Sequence, residues 1–222
     1  MRDQDIAPPP NKTEIWSNNP NYTYDGKTVI TYSFIEDGST KFGVNYSDPV
    51  PGSEGITISQ PSELQQNAIV AALTEYENVA DLHFVEVQEE NDIVGTMRFG
   101  VTNYDKPDAA AWAVMPTTSS AGGDIWLKSA PPLDEFNSDY EQGSGYGFHT
   151  LLHEIGHALG LKHPFEGSPQ LTSLDNKKYT IMSYTDDDTL HPVVTIGEFG
   201  VEGLSVTPGA TYALVSDMGG FQ

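Results

Sequence analysis

The most informative motif of this chain reads His153-Glu154-Ile155-Gly156-His157-Ala158-Leu159-Gly160-Leu161-Lys162-His163-Pro164. On a helix, residues four apart differ by about 40° around the axis and about 6 Å along it, so His153 and His157 project from one face. Two imidazoles at this spacing are suited to bind one metal ion. The chain contains no cysteine, and imidazole ligands without thiolates favour Zn²⁺.

Three further residues of this stretch extend the prediction. Gly160 can adopt the positive φ that a chain reversing sharply after a helix needs, which would bring His163 round as a third ligand. Three nitrogen ligands leave a coordination position for water, as in catalytic zinc sites. Glu154 is placed to take a proton from that water rather than to bind the metal. His-Glu-x-x-His alone recurs by accident, but two more residues at fixed offsets make an accidental match rare.

Composition excludes other classes of function. The 222 residues include 32 acidic and 10 basic side chains, for a formal net charge of −22. A nucleic-acid-binding protein needs a basic face, which so few scattered cations cannot supply. The longest apolar runs, 68–73 and 109–115, fall far short of the roughly 20 residues that span a bilayer. The first ten residues contain no apolar segment of the kind found in secretory signals.

Hydrophobic periodicity predicts an α+β fold. Residues 1–24, rich in Pro, Asn and Asp, are interpreted as a leader, and 25–222 as a single domain. One helix is predicted over 61–80, with Ser59 as its cap and Pro61 in its first turn, and another over 148–159. The predicted strands are 28–35, 82–87, 93–100, 111–114 and 124–127. Beyond the second helix the chain is rich in turn residues, with a mildly apolar segment at 212–215.

The stretch 153–164 resembles the zinc-binding consensus of the metzincin metalloendopeptidases. Pro164, directly after the third histidine, is similar to the serralysin branch, the alkaline proteases of Gram-negative bacteria. The segment Tyr179-Thr180-Ile181-Met182-Ser183-Tyr184 resembles the Met-turn of that family. Astacins also have a tyrosine there, but they usually carry a glutamate after the third histidine and disulfides, and this chain has neither. Further similarity to the serralysin catalytic domain lies in 61–80, 81–87 and 122–126, so that the resemblance covers 28–190.

The resemblance implies a metzincin-type catalytic domain. Its expected fold is a twisted, mostly parallel five-stranded sheet with two long helices and an irregular C-terminal subdomain. Glu154 would be the general base, Tyr184 a further zinc ligand that moves to the oxyanion of the substrate, and Met182 would lie beneath the metal. The implied zinc ligands are His153, His157, His163 and Tyr184, and the implied substrate-binding residues at the rim of the cleft are Trp112, Ala113 and Val114.

The expected function is hydrolysis of peptide bonds in extended polypeptides, with a water activated by zinc and deprotonated by Glu154. The resemblance also implies secretion from a bacterial cell. A monomer is expected, and a proteinaceous inhibitor is a candidate partner. Calcium is a further candidate ion, although no calcium-binding motif in this chain supports it.

Several alternatives remain open. Serralysins continue into calcium-binding (RTX) repeats, and their absence from this sequence indicates either an excised catalytic domain or a member without them. A zinc-containing binding module that does not hydrolyse peptides is the main rival function, and intact Glu154 argues against it. An acidic interaction protein recognised by its charge is a third, but it leaves the metal pattern unexplained. The remaining candidates are interpreted as structural or surface groups: His83, His149, His191 and the acidic run 186–188.

Overall fold

The structure is a computed structural model that describes residues 23–43, 46, 49, 52–89, 93–107, 109–129, 146–186, 191–197 and 200–207. The chain divides into two compact units, residues 1–161 and 162–222. Most of the predicted leader and the segment 212–215 lie outside the described residues. Among the helices that are described, none is long and apolar enough to cross a membrane.

A seven-stranded sheet forms the centre of the first unit. Its strands are β1 Thr23–Tyr24, β2 Lys27–Phe34, β3 Ile58–Ser59, β4 Leu82–Glu86, β5 Met97–Thr102, β6 Ala111–Ala113 and β7 Ile125–Lys128. Parallel pairing joins β4 to β2, β2 to β5 and β5 to β7, and β6 pairs antiparallel with β7. These five strands confirm the mostly parallel sheet expected from the sequence. The two-residue strands β1 and β3, which were not predicted, add antiparallel pairs to β2 and β5.

A buried ionic network holds the middle of this sheet. Arg98 in β5 is 1% exposed, and its Nε and Nη2 donate to the two carboxylate oxygens of Glu89 at 2.7 and 2.8 Å. Its Nη1 lies 4.0 Å from Oδ2 of Asp124, which accepts a hydrogen bond of 2.6 Å from the Tyr46 hydroxyl. A buried charge is tolerated only when it is paired in this way. The network therefore fixes Asp124, the residue that leads into β7.

Strand β5 begins four residues later than the predicted 93–100. The preceding backbone amides bond to side-chain hydroxyls of β2 instead of to a strand: Gly95 N–H donates to Ser33 Oγ at 2.9 Å and Thr96 N–H to Thr31 Oγ1 at 3.1 Å. A Cβ on Gly95 would lie 2.5 Å from the backbone of β2. This close approach requires glycine and delays the start of regular pairing.

Two helices, α1 (Glu63–Val79) and α2 (Tyr146–Ala158), confirm the helices predicted near 61–80 and 148–159. The cap of α1 is Ser62, not the predicted Ser59, because Ser62 and Gln65 form a reciprocal capping box. Pro61 consequently precedes the cap rather than lying in the first turn. The helices contact each other where the Tyr76 hydroxyl donates to the Leu152 carbonyl at 2.7 Å.

The second unit contains a 3₁₀ helix at Thr172–Leu174 and an antiparallel pair, β8 (His191–Gly197) with β9 (Gly200–Thr207). The sequence predicted a chain rich in turns after α2, which is confirmed for residues 162–186. It did not predict the hairpin of β8 and β9. The β-branched run Val193–Ile196 next to Gly197 was the available signal for it.

Candidate metal centre

The end of α2 forms the turn that the sequence predicted. Gly160 has φ of +101°, which confirms the positive φ expected there. The Leu161 N–H donates to the Gly156 carbonyl at 2.9 Å, and the Gly160 N–H donates to the His157 carbonyl at 2.9 Å. This pair of bonds is the Schellman motif that ends many helices. A Cβ at Gly160 would lie 3.6 Å from Pro116, an ordinary contact, so the backbone angle rather than the space requires glycine.

The three predicted histidines come together. The ligand atoms of His153, His157 and His163 all lie within 4.8 Å of one another, and this is the group of potential ligands found among the described residues. Two nitrogens bound to one tetrahedral zinc at 2.0–2.1 Å are about 3.4 Å apart, so ring movements on the order of 1 Å would close the group around an ion. Three imidazole donors and no carboxylate fit zinc better than calcium.

Hydrogen bonding determines which nitrogen His157 offers to a metal. Its Nδ1 is 2.9 Å from the carbonyl oxygen of Leu161. Because a carbonyl only accepts, Nδ1 carries the proton and Nε2 keeps its lone pair for a metal. The ring of His153, which is 4% exposed, lies edge-on to that of His157 with the centroids 4.7 Å apart. The C-terminal end of α2 therefore positions both rings, and the Leu161 carbonyl selects the tautomer of His157.

Glu154 lies beside these histidines without joining the ligand group. The residue is 8% exposed, and its carboxylate accepts a hydrogen bond from the backbone N–H of Ala113. Burial raises the pKa of Glu154 to about 8, while the Ala113 N–H and the positive charge of Lys106 lower it. A cation held by the neighbouring histidines would lower this pKa further, since an opposite charge favours the ionised carboxylate.

The edge strand β6 supplies the N–H that contacts Glu154. In its pairing with β7, Ala113 lies opposite Ile125, between ladder hydrogen bonds, so its N–H and C=O face away from β7. Val114 uses its N–H on the Asp124 carbonyl and its C=O on the Gly123 N–H, both at 2.9 Å. Trp112 packs its side chain into a core cluster with Trp126. Of the three residues predicted to bind substrate, Ala113 is therefore the one whose main chain faces outward.

Within the second unit, His163 contacts the predicted tyrosine. Its Nε2 is 2.8 Å from the hydroxyl of Tyr184, whose side chain is 61% exposed. On the other side of the ring, Nδ1 is 3.0 Å from Oε1 of Glu166. That separation is close enough for an ion pair when the imidazole is protonated. A hydroxyl and a carboxylate thus flank the third histidine.

Met182 lies in a tight turn, as the Met-turn resemblance implied. It is 2% exposed, and its N–H donates to Thr180 Oγ1 at 3.1 Å. The next residue, Ser183, is anchored by its hydroxyl to Asp175 at 2.6 Å. These bonds fix the turn from which Tyr184 projects.

Two other histidines, His83 and His149, lie outside the metal group. His83 is 3.3 Å from a carboxylate oxygen of Glu77 and stacks on Tyr24, as expected for a structural histidine. His149 is on α2 and is not among the three grouped ligands. His191 belongs to β8, and its side chain is not among the described ones. Sequence reasoning missed Lys106, Phe165, Glu166 and the carbonyl of Leu161. Of these, only Phe165 and Glu166, two and three residues after the third histidine, were within reach of a motif argument.

The helix with two histidines, the glycine turn and the third histidine fit a zinc site of the metzincin type. The sequence matches the family model described as Matrixin, of the M10 peptidases, over residues 55–191, which is more than half of the chain. The chain therefore belongs to this family, as a catalytic domain of the serralysin type.

Curated relatives agree with this assignment. The chain is 33% identical over 178 residues to metalloprotease AprA of Pseudomonas entomophila, covering 72% of this chain and 33% of the relative. It is 29% identical over 214 residues to metallopeptidase AprA of Pseudomonas marginalis, covering 89% and 40%. It is also 29% identical over 165 residues to serralysin of Photorhabdus laumondii, covering 67% and 34%. The aligned part is thus between a third and two fifths of the length of these relatives.

Proposed function

We propose that this chain is a zinc-dependent endopeptidase that hydrolyses peptide bonds of extended polypeptides. The observation that carries the proposal is the group of three histidine nitrogens within 4.8 Å, with the neighbouring carboxylate of Glu154 outside it. The family match and the metallopeptidase relatives support the same class of activity. The match over 55–191 runs through both compact units, which supports 25–222 acting as a single catalytic domain.

In this mechanism His153, His157 and His163 hold the ion. When bound, zinc supplies Lewis-acid chemistry that polarises the peptide carbonyl and lowers the pKa of water to about 7. Glu154 accepts the proton of the attacking water and returns it to the departing amine. The hydrogen bond from the Ala113 N–H would orient its carboxylate for this proton transfer.

Two further groups act on the substrate. Tyr184 is proposed to ligate the metal in the resting enzyme and to donate its hydroxyl proton to the carbonyl oxygen as negative charge develops there. The outward carbonyl of Ala113 would accept a hydrogen bond from an extended substrate lying along this edge, while its N–H stays on Glu154 and Trp112 and Val114 hold the edge in place. Met182 would support the metal site from the buried turn.

The test is cleavage of a quenched, denatured protein substrate by the zinc-loaded chain, with and without a chelator. We expect chelator-sensitive cleavage that falls about 100- to 10,000-fold in Glu154→Gln, as expected for loss of a general base. Glu154→Gln should keep one equivalent of zinc, whereas His153→Ala should lose it. His149→Ala is the matched control, a histidine on the same helix outside the ligand group, and should keep both zinc and activity.

The rival function predicts a different combination of results. Tight zinc binding without cleavage of any polypeptide would favour a zinc-containing binding module. Failure to bind zinc at all would overturn the metal site itself. Activity retained in Glu154→Gln would remove Glu154 from the mechanism while leaving the metal in it.

The location, oligomeric state and partners proposed for this chain come from the same family resemblance. We propose that it acts as a monomer outside a bacterial cell, on polypeptide substrates, with a proteinaceous inhibitor as a candidate regulator. Calcium stays a candidate ion without support from the described ligand group.

A further inference from the structure

An aromatic side chain next to the third histidine has no role in the mechanism above. The ring of Phe165 lies parallel to that of His163, with the centroids 4.8 Å apart and the planes inclined by 5°. The Tyr184 ring is 5.8 Å from Phe165 and 4.6 Å from His163. We call these three rings the aromatic cluster. Phe165 remains 36% exposed although one face of its ring covers His163.

The backbone on both sides of Phe165 is fixed. Before it, the Pro164 carbonyl accepts a hydrogen bond from the Leu171 N–H at 2.8 Å. The carbonyl of Phe165 itself accepts from the Gln170 side-chain amide at 2.6 Å. The ring is therefore held next to His163 by a closed loop, rather than carried on a free segment. A surface that is already held in its binding conformation loses less free energy when a ligand docks on it.

The Phe165 ring lies close to the position expected for the scissile peptide bond. A scissile carbonyl that accepts from the Tyr184 hydroxyl lies next to the aromatic cluster. The Phe165 ring is 5.8 Å from the Tyr184 ring. An extended substrate advances about 3.3 Å per residue, so only side chains within about two residues of the scissile bond can reach the Phe165 ring. An exposed phenyl ring attracts large apolar side chains, because both surfaces leave water on contact. Because the chain has a net charge of −22, it does not attract acidic substrate side chains to this position.

We infer that Phe165 is a specificity-determining residue that packs against a substrate side chain adjacent to the scissile bond and favours large apolar residues there. The inference rests on the proposed endopeptidase function, which it deepens by naming the class of substrate. The simpler alternative is that the ring only orients His163 by stacking. The two can be separated, since orientation affects zinc and every substrate alike, whereas packing affects only substrates with a large apolar side chain.

The first experiment measures kcat/KM for peptides that differ only at the residues flanking the scissile bond, with leucine, phenylalanine, alanine or glutamate there. We expect the unmodified chain to prefer leucine and phenylalanine. In Phe165→Ala this preference over alanine should fall about tenfold, as for a lost apolar contact in a specificity site. Phe165→Leu keeps an apolar side chain and should retain most of the preference. Leu174→Ala, an exposed apolar residue of the same unit at 46% exposure, is the matched control and should retain all of it.

The second experiment needs no turnover. Zinc-loaded Glu154→Ala and the double variant Glu154→Ala/Phe165→Ala are titrated with the same peptides by calorimetry, and their zinc content is measured. We expect the double variant to bind the leucine peptide about tenfold more weakly, the alanine peptide equally, and zinc at the same stoichiometry.

An unchanged side-chain preference in Phe165→Ala would overturn the inference. So would an equal loss for all peptides together with weaker zinc binding, because that result assigns the ring to orientation of His163. Failure of the unmodified chain to cleave any peptide would instead contradict the proposed function. In that case, discrimination between the leucine and alanine peptides in calorimetry that disappears with Phe165→Ala would still support the binding contact.

Discussion

The turn at Gly160 offers the sharpest test of how the metal site is built. Gly160→Ala introduces a side chain at φ of +101°, without a steric clash, since the nearest atom would be 3.6 Å away. Left-handed backbone costs a residue with a Cβ about 1–2 kcal/mol. For a chain of this size, that loss lowers the melting temperature by about 2–8 °C. The natural control is Gly55→Ala, which has φ of +80°, nothing within 4 Å of the added Cβ, and no metal ligand nearby in the sequence.

The two variants should differ only when zinc is present. With a chelator, both should lose a similar free energy of unfolding in urea titrations. With saturating zinc, Gly160→Ala should lose about 1.4 kcal/mol more, because a distorted turn moves the Leu161 carbonyl off His157 and weakens metal binding by about tenfold. Competition with a fluorescent chelator measures that affinity directly. Identical zinc affinities for the two variants would refute the idea that this turn positions the ligands.

Three further predictions test other parts of the structure. Adding Zn²⁺ at 100 times its dissociation constant should raise the free energy of unfolding by about 2.7 kcal/mol, and calorimetric scans should show no such gain in His153→Ala. Arg98→Met should destabilise the fold by about 3–5 kcal/mol in urea titrations, because it leaves the carboxylate of Glu89 buried and unpaired; a loss below about 1 kcal/mol would mean that the network is not needed. Tyr184→Phe should lower kcat by about 100- to 1,000-fold with KM unchanged and, in the presence of a chelator, the melting temperature unchanged, since Tyr184 is 61% exposed; a change confined to KM would contradict its role at the oxyanion.

Features encoded by short sequence spacing were predictable. The i, i+4 histidines, the glycine turn and the third histidine are all determined within one helix end, so the spacing alone identifies His153, His157 and His163 as a group. The two helices were predicted to within about two residues at each end, because their apolar periodicity is long. The cap of α1 was misplaced by three residues because Ser59 and Ser62 are equally good caps by type, and only the reciprocal bond with Gln65 distinguishes them.

Features that depend on distant parts of the chain were not predictable. Glu89 and Arg98 are nine residues apart, and nothing local indicates that both are buried and paired. The delayed start of β5 depends on hydroxyl groups of β2 more than 60 residues earlier in the chain. The sequence predicted Ala113 only as a substrate-binding residue and did not predict its hydrogen bond to Glu154. The pairing of β6 with β7 decides which residues of this edge strand face outward. Spacing cannot supply this information, since it arises from the register of one strand on another.

The spacing between His157 and His163 must allow both the end of α2 and the hydrogen bond that orients His157. The Leu161 N–H ends α2 by bonding to Gly156, while its carbonyl accepts from Nδ1 of His157. One residue therefore terminates the helix and selects the tautomer of a metal ligand. Inserting or deleting a residue between Gly160 and His163 would alter the path to the third ligand. A change before Leu161 would alter the helix end and the second ligand together. The fixed offsets of the motif thus follow from two hydrogen bonds made by a single residue, in addition to the geometry of the ion.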